Sequence, residues 1–240
     1  MPALLVPFHQ DERLPDGALP LPGDAVTPDL PDGDLWRRLN ALYDDVAGEV
    51  ARRIDAGERP TVVSGDCLMA LPVLAGAQRA GADPSVIWFD AHGDAHTPAS
   101  STSGYVGGMA LRFALGEAPR ALGLDLRPLP EERVTLVDAR DLDPAEAEYL
   151  ASAAIRRTTV AEAAAPEGPV VLHVDLDVID AGELPGLLFP VSGGPSRDEV
   201  VAAVRRVLDS GQVVAFDVAC PWHPGQDNDN RARLLAEITG

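Results

Sequence analysis

Residues 85–96 read SVIWFDAHGDAH. From Ser85 to Phe89 the run is apolar without polar alternation, and Asp90 arrives where it ends. A strand with one wet face alternates apolar and polar residues; a strand buried on both faces does not. The run therefore predicts a strand inside a parallel sheet covered on both sides. Asp90 then falls at a strand end. A bare carboxylate there is costly to bury, so it needs a metal ion, a base in a catalytic pair, or a helix N-terminus.

The same reading extends outward. Residues 3–8, Thr61–Val63, Arg133–Val137, Val170–Val174 and Val213–Phe216 are short apolar runs, and the last three end at Asp138, Asp175 and Asp217. Between them lie helical patterns. Leu35, Leu39, Leu42, Val46, Val50 and Ile54 recur at three and four, with Asp34 as cap and Gly57 as stop. Residues 67–80, 108–116, 144–155 and Asn228–Ile238 read as further helices. Ser196 with Glu199 forms a capping box before Val200, Val201, Val204 and Leu208. Residues 11–33, 94–106 and 180–195 read as loops, the last one lying over the site. Strands alternating with helices predict an α/β fold, and such sheets place their sites beyond the carboxyl ends of the strands.

Composition sets limits on partners. The 240 residues suit one domain, 1–240, with a substantial core. Nineteen Arg against 38 acidic residues leave a net charge of −19. That excess argues against nucleic acid or an anionic membrane as the main partner, and it would raise the local cation concentration around any acidic cleft. Two cysteines, Cys67 and Cys220, allow one disulfide and no disulfide framework. The first residues, MPALLVPFHQDERLPDG, carry no basic region before their short apolar run, so no signal peptide is expected and the cytoplasm is the expected location.

Three stretches supply metal-ligand chemistry: SGDC at 64–67, DAHGD at 90–94 and HVDLD at 173–177. Each alone has a bland reading as a cap and turn after a strand. Together they would bring several carboxylates to one sheet end, where they repel unless cations neutralise them. Two divalent ions would do so, and would also acidify a water and polarise the group it attacks. Oxygen-rich ligands with one or two imidazoles suit Mn or Mg.

GDC, DAHGD and DLD, in this order and each after a strand, resemble the arginase and agmatinase family, the ureohydrolases, over roughly residues 60–222. The resemblance implies a three-layer α/β/α sandwich with a mostly parallel sheet. It also implies a two-manganese centre that hydrolyses guanidino or amidino C–N bonds. Carried over, Cys67, Asp90, Asp94 and Asp175 would hold one ion, and Asp90, His92, Asp175 and Asp177 the other. Family members often form trimers or hexamers, so a homo-oligomer is an open expectation.

Three departures from the family pattern bear on activity. Cys67 stands where the family has histidine, as in hydroxyarginine hydrolases of the family, and its thiolate would favour Zn, Fe or Co at that side. The loop that carries the family's substrate serine, asparagine and shuttle histidine reads Ser103-Gly104-Tyr105-Val106-Gly107-Gly108. Ser103 and Tyr105 remain as substrate contacts, Gly107 replaces the shuttle, and His96 is the substitute proton carrier. Cys220 replaces the glutamate that grips the guanidinium.

The reading is a metal-dependent hydrolase of a linear amidine, with Asp94 orienting the attacking water and hydroxyarginine a better candidate than arginine. The rival is a degenerate relative that binds metal or a partner and has lost the chemistry. A one-zinc deacylase would need His96 or His173 within reach of His92. The residues otherwise put His173 in the core or behind a ligand. His9, Trp222 and His223 are read as pocket or rim, and Asp138, Arg140 and Asp141 as a salt-bridged support.

Overall fold

The computed structural model describes residues 2–225 and 227–240. Its main sheet has eight strands: β1 (Ala3–Val6), β4 (Gly23–Ala25), β5 (Thr61–Ser64), β6 (Ser85–Asp90), β7 (Val134–Asp138), β8 (Arg156–Thr158), β9 (Val170–Asp175) and β10 (Val213–Ala219). Two further strands, β2 (Phe8–His9) and β3 (Glu12–Arg13), form a small antiparallel hairpin. The sheet order is β4-β1-β5-β10-β9-β6-β7-β8, and each pairing in it is parallel.

Helices cover both faces. On one side lie α1 (Leu35–Asp55), α2 (Ala70–Arg79), the single turn α3 (Ala110–Arg112) and α4 (Pro144–Ser152). On the other lie α5 (Arg197–Leu208) and α6 (Asn228–Thr239). The result is a parallel sheet covered on both faces, as the apolar runs predict, and thus the three-layer α/β/α sandwich that the resemblance implies. Each strand sends alternate side chains to opposite layers. Trp88 and Val86 face the α1–α2 layer, while Ile87 and Phe89 face α5 and α6.

Local chemistry explains the element ends. Asp34 caps α1 by accepting from the Arg37 N–H at 3.0 Å. Ser196 and Glu199 form the expected box on α5. Gly76 of α2 lets α1 approach so closely that a Cβ there would lie 2.7 Å from the Ala47 carbonyl. Helices α1 and α2 thus meet backbone to backbone.

Several expectations need correction. β10 does not stop at Asp217; it runs on to Ala219, which leaves Asp217 fully buried in mid-strand. The helix read over 108–116 is a 3₁₀ turn, one α turn and a π turn, broken at Gly116 with φ of +108°. The helix read over 144–155 ends at Ser152. The short strands β4 and β8 carry almost no apolar signal and were not foreseen. Among the described residues no helix is long and apolar enough to cross a membrane.

Candidate metal centre

The carboxyl ends of β5, β9 and β6 open into a cavity of about 280 Å³. β5 is followed by Ser64-Gly65-Asp66-Cys67. Asp66 accepts from the Leu68 N–H at 2.9 Å and from the Gln10 N–H, so its carboxylate is spent on holding the turn. Cys67 then begins a 3₁₀ turn with its sulfur facing β9, where Sγ lies 2.7 Å from Asp175 Oδ2. Gly65 is required because a Cβ there would strike the Phe8 carbonyl, to which its own N–H donates at 3.0 Å.

β6 delivers Asp90, which is 1% exposed. The Trp88 indole donates to Asp90 Oδ2 at 3.2 Å, and the His92 N–H donates to Oδ1 at 2.7 Å. His92 Nδ1 lies 3.1 Å from Asp177 Oδ2 and 3.4 Å from Asp90 Oδ1. Asp94 has φ of +47°, a left-handed conformation that an aspartate tolerates at a cost. Gly93 before it lets Glu146 come close enough to accept from the Ala95 N–H at 2.9 Å. Asp94 Oδ2 is buried with no partner among the described residues.

Electrostatics make the demand for cations explicit. Burial, reinforced by Asp90, pushes the Asp94 carboxyl well above its usual range. Burial and then Asp177 and Asp90 do the same to Asp175. Burial and the surrounding carboxylates hold the Cys67 thiol far from ionising. Burial works against the charged form of His92, but its bonds to Asp177 and Asp90 outweigh this and raise its pKa far above normal. The imidazole is answering a local excess of negative charge.

Ligand atoms of Asp90, His92 and Asp177 lie within 4.8 Å of one another, and so do those of Cys67, Asp90 and His173. Asp90 belongs to both groups. The donor set fits a pair of divalent ions: carboxylates that repel without one, an oxygen of the cavity-lining Asp94 with no partner among the described residues, and a soft sulfur on one side only.

The remaining candidates are placed as follows. His96 lines the cavity, with Nε2 3.0 Å from Asp143 Oδ2 and Nδ1 3.2 Å from Ser100 Oγ. Ser103 and Tyr105 also line it. The Tyr105 ring fills the space that a side chain at Gly107 would need. Its hydroxyl lies 3.3 Å from His9 Nε2, and His9 Nδ1 is 3.0 Å from the Gly65 carbonyl. Cys220 is not brought to the cavity. It is buried in the layer under α5 and α6, and its neighbour Pro221 reaches the wall instead. Both cysteines are free thiols, so they do not pair.

Trp222, read as pocket or rim, does not line the cavity: it is buried, and its indole donates to the Ala18 carbonyl at 2.9 Å. His223 is exposed. Arg140 pairs with Asp138 and donates to the Val178 and Val191 carbonyls, tying β7 to the 180–195 loop. That loop brings Phe189 over His92 and Tyr105, with ring centroids 6.4 and 5.1 Å away. Sequence reasoning missed Asp143 and Glu146, whose signal was the DPAE start of α4, and it missed Phe189.

A family model described as the arginase family matches residues 20–239. The arginase of Bacillus subtilis is 29% identical across 95% of this chain and 85% of its own length. An N(omega)-hydroxy-L-arginine amidinohydrolase of Streptomyces lavendulae is 35% identical across 57% of this chain and 52% of its own. Among solved structures, Bacillus subtilis arginase superposes with a TM-score of 0.81 at 24% identity, covering 99% of this chain and 96% of that one. Entamoeba histolytica arginase in complex with L-ornithine gives 0.81 at 18%, covering 99% and 97%. At these identities the superpositions establish the fold.

Proposed function

The chain belongs to the arginase family, and on that premise we propose that it is a metal-dependent hydrolase of a C–N bond in a small guanidino or amidino compound. The observation that carries the reading is the pair of ligand groups sharing Asp90, of which Cys67, Asp90, His92 and Asp177 line one cavity. Cys67, Asp90, Asp94, His92, Asp175 and Asp177 would hold two divalent ions, manganese by family pattern, with a softer ion such as Zn, Fe or Co favoured beside Cys67. When bound, such ions supply Lewis acidity and make a water nucleophilic at neutral pH.

The protein's own residues do the rest. Asp94 Oδ2, with no hydrogen-bond partner among the described residues, accepts a hydrogen bond from the attacking water and orients it at the amidino carbon. The carbon gains that oxygen and loses its bond to nitrogen, and the departing amine takes up a proton. His96 and Asp143 form the route for that proton, since the imidazole lines the cavity while the Asp143 side chain is 60% exposed. The Tyr105 hydroxyl is a poorer donor, because burial and the carboxylates of Asp66 and its neighbours raise its pKa far above normal. Tyr105, Ser103 and Phe189 face the substrate and exclude water.

An N-hydroxylated guanidine is the better substrate than arginine. The electron-withdrawing hydroxyl lowers its basicity, so it depends less on a carboxylate where this chain has the buried Cys220. The relative that acts on N(omega)-hydroxy-L-arginine by name supports that choice. The test is release of the amino-acid product from arginine and from hydroxyarginine by metal-loaded enzyme, with chelated enzyme as control. Faster turnover of the hydroxylated substrate is expected. No turnover of any guanidino or amidino compound by protein carrying both ions would favour the degenerate relative, a reading to which the altered positions 107 and 220 lend weight.

A further inference from the structure

His173 lies outside the ligand set given above, and its surroundings supply it with a role. It sits on β9 between Trp88 of β6 and Asp217 of β10, each its direct partner in the sheet register. All three belong to buried strand centres, and His173 is fully buried. Its Nδ1 is 2.7 Å from Asp217 Oδ2. Its ring lies against Trp88 with centroids 3.9 Å apart, which resists reorientation. A carboxylate on Nδ1 fixes the proton there and leaves the lone pair on Nε2.

Nε2 has no hydrogen-bond partner among the described residues. Leaving a buried ring nitrogen bare is unfavourable, so an imidazole serving only the core would be expected to use both nitrogens. Instead a His173 nitrogen lies within 4.8 Å of ligand atoms of Cys67 and Asp90. Since Nδ1 is taken by Asp217, the nitrogen left for that group is Nε2.

We propose that His173 Nε2 is a metal ligand that completes, with Cys67 Sγ and Asp90, a site of one sulfur, one nitrogen and oxygen donors for a borderline divalent cation. The inference rests on the metal-centre reading above. Cys67 is too short to offer what a histidine would at position 67, and the imidazole enters from β9 instead. Asp217, which is buried and has no metal-binding role of its own, is then a positioning residue: it sets the tautomer and aims Nε2. A sulfur–nitrogen–oxygen set of this kind favours Zn²⁺, Fe²⁺ or Co²⁺ over Mn²⁺.

The test uses the whole protein with ¹⁵N-labelled histidine, loaded with ¹¹³Cd²⁺. The chain has five histidines, so each ring resonance is assigned by elimination with His9→Gln, His92→Gln, His96→Gln and His223→Gln, leaving His173 unchanged. The expected result is splitting of the His173 Nε2 resonance by ¹¹³Cd, together with splitting at His92. Splitting at His92 alone overturns the assignment and leaves the metal centre standing. Splitting at neither overturns both. A residue that merely supports a ligand would show no such coupling.

Discussion

Asp94 carries opposing demands. Its carboxyl is buried, has an unpartnered oxygen, and is pushed to a high pKa by burial and Asp90. A carboxyl whose folded pKa lies above its unfolded value costs stability once the pH rises through the unfolded value, and the cost is fully present above the folded one. Without metal, Asp94→Asn removes that cost. The variant in chelator should therefore melt higher than the parent at neutral pH, by several degrees if the gain reaches about 1–2 kcal/mol. The gain should vanish toward pH 4, and the variant should lose affinity for divalent ions. Thermal melts across pH with and without metal check this; a lower melting point in chelator at neutral pH would contradict it.

Tyr105 and Gly107 form a second residue-scale unit. A Cβ at 107 would overlap the Tyr105 ring. Gly107→Ala should cost about 1–3 kcal/mol by overpacking, and Tyr105→Ala in the same chain should relieve most of it. A double-mutant cycle in denaturant reads that coupling; additive effects would contradict it. The two replacements were legible in the sequence as separate departures. That one fills the space vacated by the other was not, because it depends on how the 103–108 loop turns back on itself.

At the scale of elements, the α1–α2 contact shapes the approach to the site. α2 continues the turn that begins at Cys67, and Gly76 is where α1 presses on it. A methyl at 76 meets both the Ala47 carbonyl and the Val50 side chain at 2.7 Å. Neither the backbone oxygen nor a β-branched residue can give way cheaply. Gly76→Ala should destabilise by about 1–3 kcal/mol, measured as a lower denaturation midpoint with an unchanged slope. No loss would mean that the helices separate freely.

The elements that sequence revealed best were those with a strong period or a run: α1, with Asp34 as its cap, and strands β6 and β9. Those it missed lack such a signal. β8 is Arg156-Arg157-Thr158 and β4 is Gly23-Asp24-Ala25, both held by pairing with a neighbouring edge rather than by burial. β10 was cut short because Asp217 reads as a strand end, whereas His173 opposite supplies the partner that lets it stay inside. The DAHGD and DLD acids were legible as candidate ligands for the converse reason: nothing but a cation or a cap explains acids in series after an apolar run. His173, read as core or as support behind a ligand, is indeed fully buried against Trp88 and Asp217; what the sequence does not reveal is the register that also sets it beside Cys67 and Asp90.

The molecule as a whole carries a charge of −19, and the acids of the site line the cavity at the ends of β5, β6 and β9, with Asp141 and Asp143 among them. Such a field draws cations, metal ions and guanidinium groups alike, toward the opening. The kcat/KM for a cationic substrate should thus fall several-fold between low and physiological ionic strength, while kcat changes little. Steady-state kinetics across a salt series measures this, and a flat kcat/KM would remove steering from the account. The central claim is more direct: the ends of β5, β6 and β9 build a centre for two ions. Metal content per chain, by elemental mass spectrometry on reduced protein reconstituted with Mn²⁺ or Zn²⁺, tests it first. The account predicts close to two ions per chain, falling toward one in Cys67→Ala. One ion or none in the parent protein would contradict it.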